Sequence, residues 1–218
     1  MKGLKVNRAL LEKHLELVIE ANKTVNITRI SSWEDGILLH VKDSLLGLEA
    51  LNKCPAGKLA DIGSGAGYPG IPLAIEGGRE TVLVDSVGKK TRVLDGFIKQ
   101  LGLKNVSTAN QRIEDFGKQH QGEFAAVTAR ALSKLSVLLE LATPLLSVGG
   151  RLIAYKANVE ADELHHANDV CAVVGMQLIG DKTYSLEGFN RRILCYEKTC
   201  EPKIKLPRRV GLAQKKPL

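Results

Sequence analysis

The sequence predicts a doubly wound α/β fold, in which helices cover both faces of a mainly parallel β-sheet. Between residues 59 and 174, short apolar runs typical of buried strands alternate with stretches whose apolar residues recur at helical spacing. The first apolar run, residues 59–62, leads into a turn with four glycines and then into a helical stretch, which is typical of a nucleotide-type site. The 218 residues, of which 44% are apolar, suffice for one substantial core. We therefore expect one main domain with a short extension at each end.

Residues 1–55 are predicted to form an N-terminal helical extension. Leucine, valine and isoleucine recur at three-to-four spacing up to Asn22 or Asn26, where the first helix is expected to end. A second helix is expected to start at Ser31 or Ser32 and to continue through the leucines that follow. The polar segment between the two helices is interpreted as a capping loop, with an edge of the active cleft as the alternative.

The central part, residues 56–198, is predicted to be a Rossmann-like sheet domain. Among its helices are two at residues 132–146 and 158–174, and the last two strands are expected to pair antiparallel and to close the sheet. Ligands of such a sheet bind outside the carboxyl ends of its strands. The predicted strands are residues 59–62, 81–84, 106–109, 124–128, 151–155, 176–184 and 191–197.

Two acidic residues indicate which nucleotide binds at the glycine-rich turn. Asp61 lies two residues before the first glycine, where a carboxylate repels a diphosphate and attracts a cationic amino group. Asp85 ends the second strand, where a carboxylate can accept both ribose hydroxyls. S-adenosylmethionine fits this pair of acids. The alternative is NAD, because residues 65–70 match the dinucleotide pattern G-x-G-x-x-G, but that pattern is weak when taken alone.

Further polar residues follow the other predicted strands and are expected in the same cleft. Glu114 is a candidate acceptor for the adenine amino group beside Ile113, with an interaction with the helix dipole as the alternative. Arg130 is a candidate for the methionine carboxylate or an RNA phosphate, and Lys156 follows the fifth strand. We interpret these two cations as positioning groups and assign no catalytic residue.

His40 and Asp43 are three residues apart in the predicted second helix and would share one face of it. A lone histidine beside an acid is more often a structural pair than a catalyst, and we interpret them so. Lys89 and Lys90 follow Asp85 closely and could contact an RNA phosphate, but a solvated start of a helix is an equally good interpretation.

The net charge of +7 is concentrated in a basic C-terminal tail, residues 199–218, and the residue before it. Residues 198–218 contain seven Lys or Arg and one Glu, so nearly all of the excess lies here. Such a segment is typical of polyanion binding, and the alternative is a disordered end that only aids solubility. The aromatic content of 4% argues against extensive base stacking. The candidate RNA-binding residues are Lys89, Lys90, Lys198, Lys203, Lys205, Arg208, Arg209, Lys215 and Lys216.

The composition excludes several classes of protein. The N-terminal residues carry scattered charges without the apolar core of a signal peptide, and no stretch approaches the roughly 18 apolar residues of a membrane span. The four cysteines lack a C-x-x-C pair, so we expect reduced thiols and no metal site. We expect a monomer that is located in the cytoplasm and does not bind membranes.

Several motifs along the chain occur together as they do in one known family. They are Asp61-Ile-Gly-Ser-Gly-Ala-Gly-Tyr-Pro-Gly-Ile-Pro72, Asp85-Ser-Val-Gly-Lys-Lys90, Arg112-Ile-Glu114, Thr128-Ala-Arg-Ala131, Tyr155-Lys156 and Pro207-Arg-Arg-Val-Gly211. Asn22, Asn26-Ile-Thr28 and His40-Val-Lys-Asp-Ser44 extend the likeness to the front of the chain. In these motifs the sequence resembles the bacterial glucose-inhibited division protein B family, whose members are the small-subunit ribosomal RNA methyltransferases G.

This resemblance implies methyl transfer from S-adenosylmethionine to N7 of one guanine in a decoding-region loop of 16S rRNA. It also implies cofactor contacts at Gly63, Tyr68, Ile113, Glu114 and Arg130. Guanine N7 carries a lone pair and no proton, so the transfer requires positioning and electrostatics rather than a general base. The rival functions are an NAD-dependent oxidoreductase and an RNA-binding ribosome assembly factor. The complete set of cofactor candidates is Asp61, Gly63, Gly65, Gly67, Tyr68, Asp85, Ser86, Ile113, Glu114 and Arg130.

Overall fold

A seven-stranded sheet forms the centre of the molecule. The structure, a computed structural model, describes residues 7–218, so the first six residues of the predicted N-terminal extension lie outside it. The strand order is β3-β2-β1-β4-β5-β7-β6, in which β1 to β5 are parallel and β7 runs antiparallel to both β5 and β6. The predicted doubly wound sheet and its antiparallel closing pair are thereby confirmed. The strands are β1 Lys58–Ile62, β2 Thr81–Val84, β3 Val106–Ala109, β4 Phe124–Arg130, β5 Leu146–Lys156, β6 Met176–Leu186 and β7 Phe189–Lys198.

Helices alternate with the parallel strands because their apolar faces cover the two sides of the sheet. Several end at a glycine with positive φ, such as Gly102 after α6, which is the usual stop for a helix. The helix predicted at residues 132–146 is shorter, because Leu146 already belongs to β5 and pairs with Phe124. These helices are α5 Gly70–Gly77, α6 Gly88–Leu101, α7 Ile113–Gln119, α8 Leu135–Ala142 and α9 Ala161–Val174.

The N-terminal helices pack directly against the sheet domain. Leu15 and Val18 of the first helix are buried in the same apolar cluster as Ile71 and Phe97. The predicted second helix is divided into four segments, one of which, Ile37–Lys42, is π-helical; such segments often lie at functional sites. The first helix is α1 Arg8–Asn22, and the four segments are α2 Trp33–Gly36, the π-helical segment Ile37–Lys42, α3 Asp43–Leu45 and α4 Leu48–Asn52.

The C-terminal segment is also packed against the domain. Leu206 and Ala213 are buried in the main apolar cluster, and a short helix, α10, spans Leu212–Lys215. Arg208 forms two hydrogen bonds with the carboxylate of Glu140, a buried residue of α8. Residues 199–218 therefore differ from the disordered end that was one interpretation of their composition.

Within residues 7–218, no helix combines the length and the apolar composition that crossing a membrane requires.

Candidate active site

The glycine-rich turn connects β1 to α5 and has a backbone that favours glycine. Gly63, Gly65 and Gly67 all have positive φ, at 74°, 57° and 89°. A Cβ atom on Gly67 would lie 2.6 Å from Cδ1 of Ile71, and the φ of 89° would strain a residue with a side chain at this position. The tight turn brings the backbone close to the carboxyl end of the neighbouring strand β2, where Asp85 lies.

The buried carboxylate of Asp61 holds the glycine-rich turn in place through hydrogen bonds. It is 1% exposed; its Oδ1 accepts a hydrogen bond from the Thr128 hydroxyl at 2.8 Å and its Oδ2 accepts one from the backbone N–H of Gly70 at 3.2 Å. Burial raises the pKa of this carboxyl to about 6, although the hydrogen bonds oppose that rise. The prediction that Asp61 faces the ligand therefore needs correction, because the carboxylate is used to hold the turn on β4.

Asp85 is placed as the sequence predicts. Its Oδ2 accepts the backbone N–H of Gly65 at 3.0 Å and its Oδ1 accepts that of Val87 at 2.9 Å, which fixes the carboxylate at the end of β2. A carboxylate has about four acceptor positions, so capacity remains for two ribose hydroxyls. Asp85 and the exposed Ser86 both line the adjacent cavity.

The first cavity lies at the carboxyl ends of β1, β2 and β3 and has a volume of about 270 Å³. Its wall contains a buried acceptor, Oε1 of Gln111, that has no hydrogen-bond partner within residues 7–218. Glu114 also lines it, and one of its carboxylate oxygens accepts the backbone N–H of Gly211 at 2.7 Å. Unused acceptors beside Ile113 fit the amino group of an adenine, and Asp85 fits its ribose. The cavity therefore suits an adenosine group.

A second cavity, of about 660 Å³, lies at the carboxyl ends of β4 and β5. Ala131 lines both cavities, so the two are neighbours along the edge of the sheet. Its φ of 52° is unusual for a residue with a side chain, and such strained positions are common at functional sites. Its lining includes Thr28, Leu39, His40, Asp43, Arg130, Ser133, Lys156 and Arg191.

Arg130 is held by the N-terminal helices. Its Nη1 donates to the Asp43 carboxylate at 2.8 Å and to the Leu39 carbonyl at 3.0 Å, and its Nη2 donates to Nδ1 of His40 at 3.1 Å. Asp43 also accepts a hydrogen bond from Arg191 at 2.8 Å. The expectation that His40 and Asp43 pair with each other needs correction, since both bind Arg130. Three of the five guanidinium N–H groups are thus used internally, and two remain for a ligand.

Lys156 is likewise paired within the chain. Its Nζ donates to Glu163 at 2.7 Å and to the Ser133 carbonyl at 3.3 Å. Arg130 and Lys156 thus line the second cavity together, and both are bonded to carboxylates, whereas Asp85 and Glu114, which were expected in the same cleft, line the first cavity.

Tyr68 lies beneath the site. It is 3% exposed and stacks on His40, with ring centroids 4.4 Å apart and planes 5° apart, and it lines neither cavity. Its side chain packs against the network around Arg130, whose guanidinium carbon lies 5.5 Å from the centre of the Tyr68 ring. Of the predicted cofactor residues, the first cavity brings together Gly63, Asp85, Ser86, Ile113 and Glu114, whereas Asp61, Gly65, Gly67, Tyr68 and Arg130 do not line it.

The candidate RNA-binding residues divide into three groups by their burial and pairing. Lys198 is 3% exposed and donates to the Leu146 carbonyl, and Arg208 is paired with Glu140, so the prediction that these two bind RNA needs correction. Lys90 lines the first cavity and is partly buried. The candidates with exposed side chains are Lys89, Lys203, Lys205, Arg209, Lys215 and Lys216.

Sequence reasoning did not assign Gln111, Gln214 or Arg191 to the site. Gln111 directly precedes the motif at residues 112–114, and this position is the sequence feature that could have indicated that it belongs to the site. Gln214 lines the first cavity from α10 and Arg191 the second from β7, and no local pattern indicates either. Within residues 7–218, no group of three or more His, Cys, Asp or Glu is arranged to hold a metal ion.

The fold is shared with methyltransferases of known structure. A geranyl diphosphate methyltransferase in complex with its substrate and sinefungin has a TM-score of 0.60 and 13% identity, over 72% of this chain and 77% of that chain. A ribosomal protein L11 methylase from Lactobacillus delbrueckii subsp. bulgaricus has a TM-score of 0.57 and 17% identity, over 74% and 79%.

Sequence comparison is more specific. The family model of rRNA small subunit methyltransferase G (GidB) matches residues 7–190. Ribosomal RNA small subunit methyltransferase G of Streptococcus pyogenes serotype M12 (strain MGAS2096) is 38% identical over 212 residues, which are 95% of this chain and 90% of that protein. The protein of serotype M49 (strain NZ131) is 37% identical over the same lengths. The two adjoining cavities at the carboxyl edge of the sheet thus lie in a chain that belongs to the rRNA small subunit methyltransferase G family, a family of S-adenosylmethionine-dependent 16S rRNA methyltransferases.

Proposed function

We propose that this 16S rRNA methyltransferase binds the adenosine part of S-adenosylmethionine in the first cavity and the target guanine of a decoding-region loop in the second, and methylates guanine N7. One observation supports this placement above the others: both cavities open at the carboxyl edge of the sheet and share Ala131. A donor and an acceptor must meet within a few ångströms for transfer, and adjoining cavities provide that proximity.

Four groups of the first cavity fit the adenosine. Asp85 would accept the ribose hydroxyls, Glu114 and Gln111 would accept the adenine amino group, and Ile113 would cover the ring. The backbone of Gly63 borders the same space without a side chain. When bound, S-adenosylmethionine supplies a methyl group on a positively charged sulfur.

Several of the basic side chains that line the second cavity are paired with carboxylates. Guanine N7 has an in-plane lone pair, so no residue has to remove a proton. Asp43 is paired with Arg130 and Arg191, and Glu163 with Lys156. This pairing reduces the repulsion that free cations would exert on the methylated ring. The role of the chain is to place the base and the cofactor.

RNA outside the loop would contact exposed lysines and arginines. Lys89 and Lys90 start α6 beside the first cavity, and Lys215 follows Gln214, which lines it. Phosphate contacts of this kind orient the substrate without reading its sequence. We also propose that the protein acts as a monomer, because its exposed large apolar residues, such as Trp33 and Val148, lie on different elements. We place it in the cytoplasm, where its ribosomal substrate is found.

Transfer of labelled methyl from S-adenosylmethionine tests the proposal. The RNA is offered protein-free and as assembled small subunits, and the modified nucleoside is identified after digestion. We expect 7-methylguanosine at one site of the decoding region. Label on another atom or another base would contradict the N7 assignment while leaving the cofactor site intact.

A further inference from the structure

The hydroxyl of Thr28 lies at the wall of the second cavity and has a defined hydrogen-bond direction. Its oxygen is 3.2 Å from the backbone N–H of Ile30 and 2.9 Å from Nε2 of His40. The N–H of Ile30 can only donate. The direction of the bond with His40 depends on which imidazole nitrogen carries the proton.

Arg130 determines that tautomer. Guanidinium groups have no acceptor, so Nδ1 of His40, 3.1 Å from Nη2 of Arg130, must accept. Burial, assisted by the charge of Arg130, lowers the pKa of His40 to about 3, so the ring is neutral and carries its one proton on Nε2. The Nε2–H group of His40 therefore donates to the Thr28 oxygen.

Two donors thus fill both lone pairs of the Thr28 oxygen. A hydroxyl with both lone pairs filled can only donate its own proton. No acceptor for that proton is present within residues 7–218, because the bonds with Ile30 and His40 are the two that this oxygen makes there. The Thr28 O–H group is therefore available as a donor to a molecule in the second cavity that it lines.

We propose that Thr28 is a specificity residue that donates a hydrogen bond to O6 of the target guanine; this inference rests on the proposed function. The Hoogsteen edge of guanine has two acceptors, N7 and O6, whereas adenine presents an amino group in place of O6. Since N7 must keep its lone pair for the methyl group, O6 is the acceptor that remains. An adenine would place one donor against another, which leaves both without a partner.

The surrounding network makes the donor rigid. Asp43 holds Arg130, Arg130 fixes the tautomer of His40, and His40 fixes the rotation of the Thr28 hydroxyl. His40 is in turn stacked on Tyr68 under the glycine-rich turn. A preorganised donor discriminates better than a freely rotating one, because no reorganisation is required when the base enters.

A double-mutant cycle between the protein and the RNA tests the proposal. One component is Thr28→Val, which removes the hydroxyl, and the other is RNA in which 2-aminopurine, which lacks O6, replaces the target guanine. The RNA is used in the form, protein-free or assembled, that the wild-type protein methylates. We expect Thr28→Val to lower kcat/KM for guanine RNA by about 10- to 100-fold and to change it little for 2-aminopurine RNA. The cycle cancels the different intrinsic reactivities of the two bases.

Controls separate this role from a structural one. Thr28→Ser keeps the hydroxyl and should keep the preference for guanine, whereas a purely structural defect would lower kcat/KM for both RNAs equally. Thr24→Val, in the same loop but outside the second cavity, should leave the preference unchanged. Equal losses on both RNAs in Thr28→Val would overturn the proposal. If that variant does not fold, Thr28→Ala, which also removes the hydroxyl, takes its place in the cycle, and equal losses on both RNAs would overturn the proposal in the same way.

Failure of the proposed function has a different signature. If the proposed function is wrong, the wild-type protein forms no 7-methylguanosine on protein-free or assembled RNA. This failure is detected before any Thr28 variant is compared.

Discussion

Tyr68 is buried between the imidazole rings of His14 and His40, and its hydroxyl has no partner within residues 7–218. A buried unpaired hydroxyl reduces stability. Tyr68→Phe is therefore expected to raise the free energy of unfolding by about 1 kcal/mol, as measured by urea denaturation. Tyr155→Phe is the matched control, because the Tyr155 hydroxyl donates to the Ser44 carbonyl at 2.7 Å and its loss should cost about 1 kcal/mol or more. Destabilisation by Tyr68→Phe would show that this hydroxyl has a partner, such as a buried water.

Three buried groups make stability depend on pH in opposite directions. Burial lowers the pKa of both His14 and His40 to about 3, so their contribution is complete above about pH 6.5 and is lost as the pH falls towards 3. Burial raises the pKa of Asp61 to about 6, so the folded state binds an extra proton between about pH 6 and 4 and gains stability there as the pH falls. The two histidines outweigh the one carboxyl, and these groups together favour folding at neutral pH.

Replacing one histidine isolates its part of this dependence. His14→Gln should reduce the slope of unfolding free energy against pH by about 1.4 kcal/mol per pH unit between about pH 6 and 4, because one proton fewer is taken up on unfolding. Urea denaturation at several pH values in that range measures the slope. His165→Gln, at an 83% exposed side chain, should leave it unchanged. An unchanged slope in His14→Gln would mean that His14 is protonated in the folded protein.

At the residue scale, the sequence predicted side chains that form hydrogen bonds at the end of their own strand. It did not predict side chains whose partners are distant in the sequence. Asp85 binds the backbone of Gly65 and Val87 at the end of its own strand, where the pattern placed it. Arg130 pairs with a residue 87 positions away, and no local pattern indicates that partner. Asp61 looks like a ligand-facing acid in the sequence, because its hydrogen bond to Thr128 forms only when β1 and β4 pair.

At the element scale, the seven strands were predictable because buried strands are short, apolar and separated by turn residues. The division of the second N-terminal helix was not predictable. A π-helical segment differs from an α-helix by its i→i+5 hydrogen bonds, which no local pattern in this sequence indicates, and His40 and the Leu39 carbonyl within it contact Arg130.

A buried ion pair contributes to the attachment of the C-terminal segment, beside the apolar contacts of Leu206 and Ala213. Glu140 and Arg208 have side chains that are 3% and 18% exposed, so loss of the arginine leaves a carboxylate buried without its partner. Arg208→Met is expected to lower the free energy of unfolding by about 3–5 kcal/mol, measured by urea denaturation. The double variant Glu140→Leu with Arg208→Met should recover most of that loss. A double variant as unstable as the single one would show that the pair is not the cause.

At the scale of the whole molecule, the composition predicted where the excess positive charge lies, but the fold determines which of the charged side chains are exposed. The excess of positive charge lies near the C-terminus, as the sequence shows, but Lys198 and Arg208 are used inside the structure. Deleting residues 199–218 would remove Leu206 and Ala213 from the core together with the charges. Such a deletion cannot separate a loss of RNA contacts from a loss of folding, whereas replacing exposed side chains can.

Replacing the five exposed cations of this segment by glutamine tests whether they contact RNA. These are Lys203, Lys205, Arg209, Lys215 and Lys216. Each phosphate contact contributes about 0.7–0.9 to the slope of log affinity against log salt concentration, so the magnitude of the slope should fall by about 3.5–4.5 if all five make contact. The matched control makes the same change of net charge at exposed lysines elsewhere, Lys13, Lys23, Lys99, Lys104 and Lys118, and should alter the slope much less. Equal reductions in both variants would mean that RNA responds to the net charge of the protein and not to this surface. The unfolding free energy of both variants should stay close to that of the wild type, because none of the ten side chains is buried.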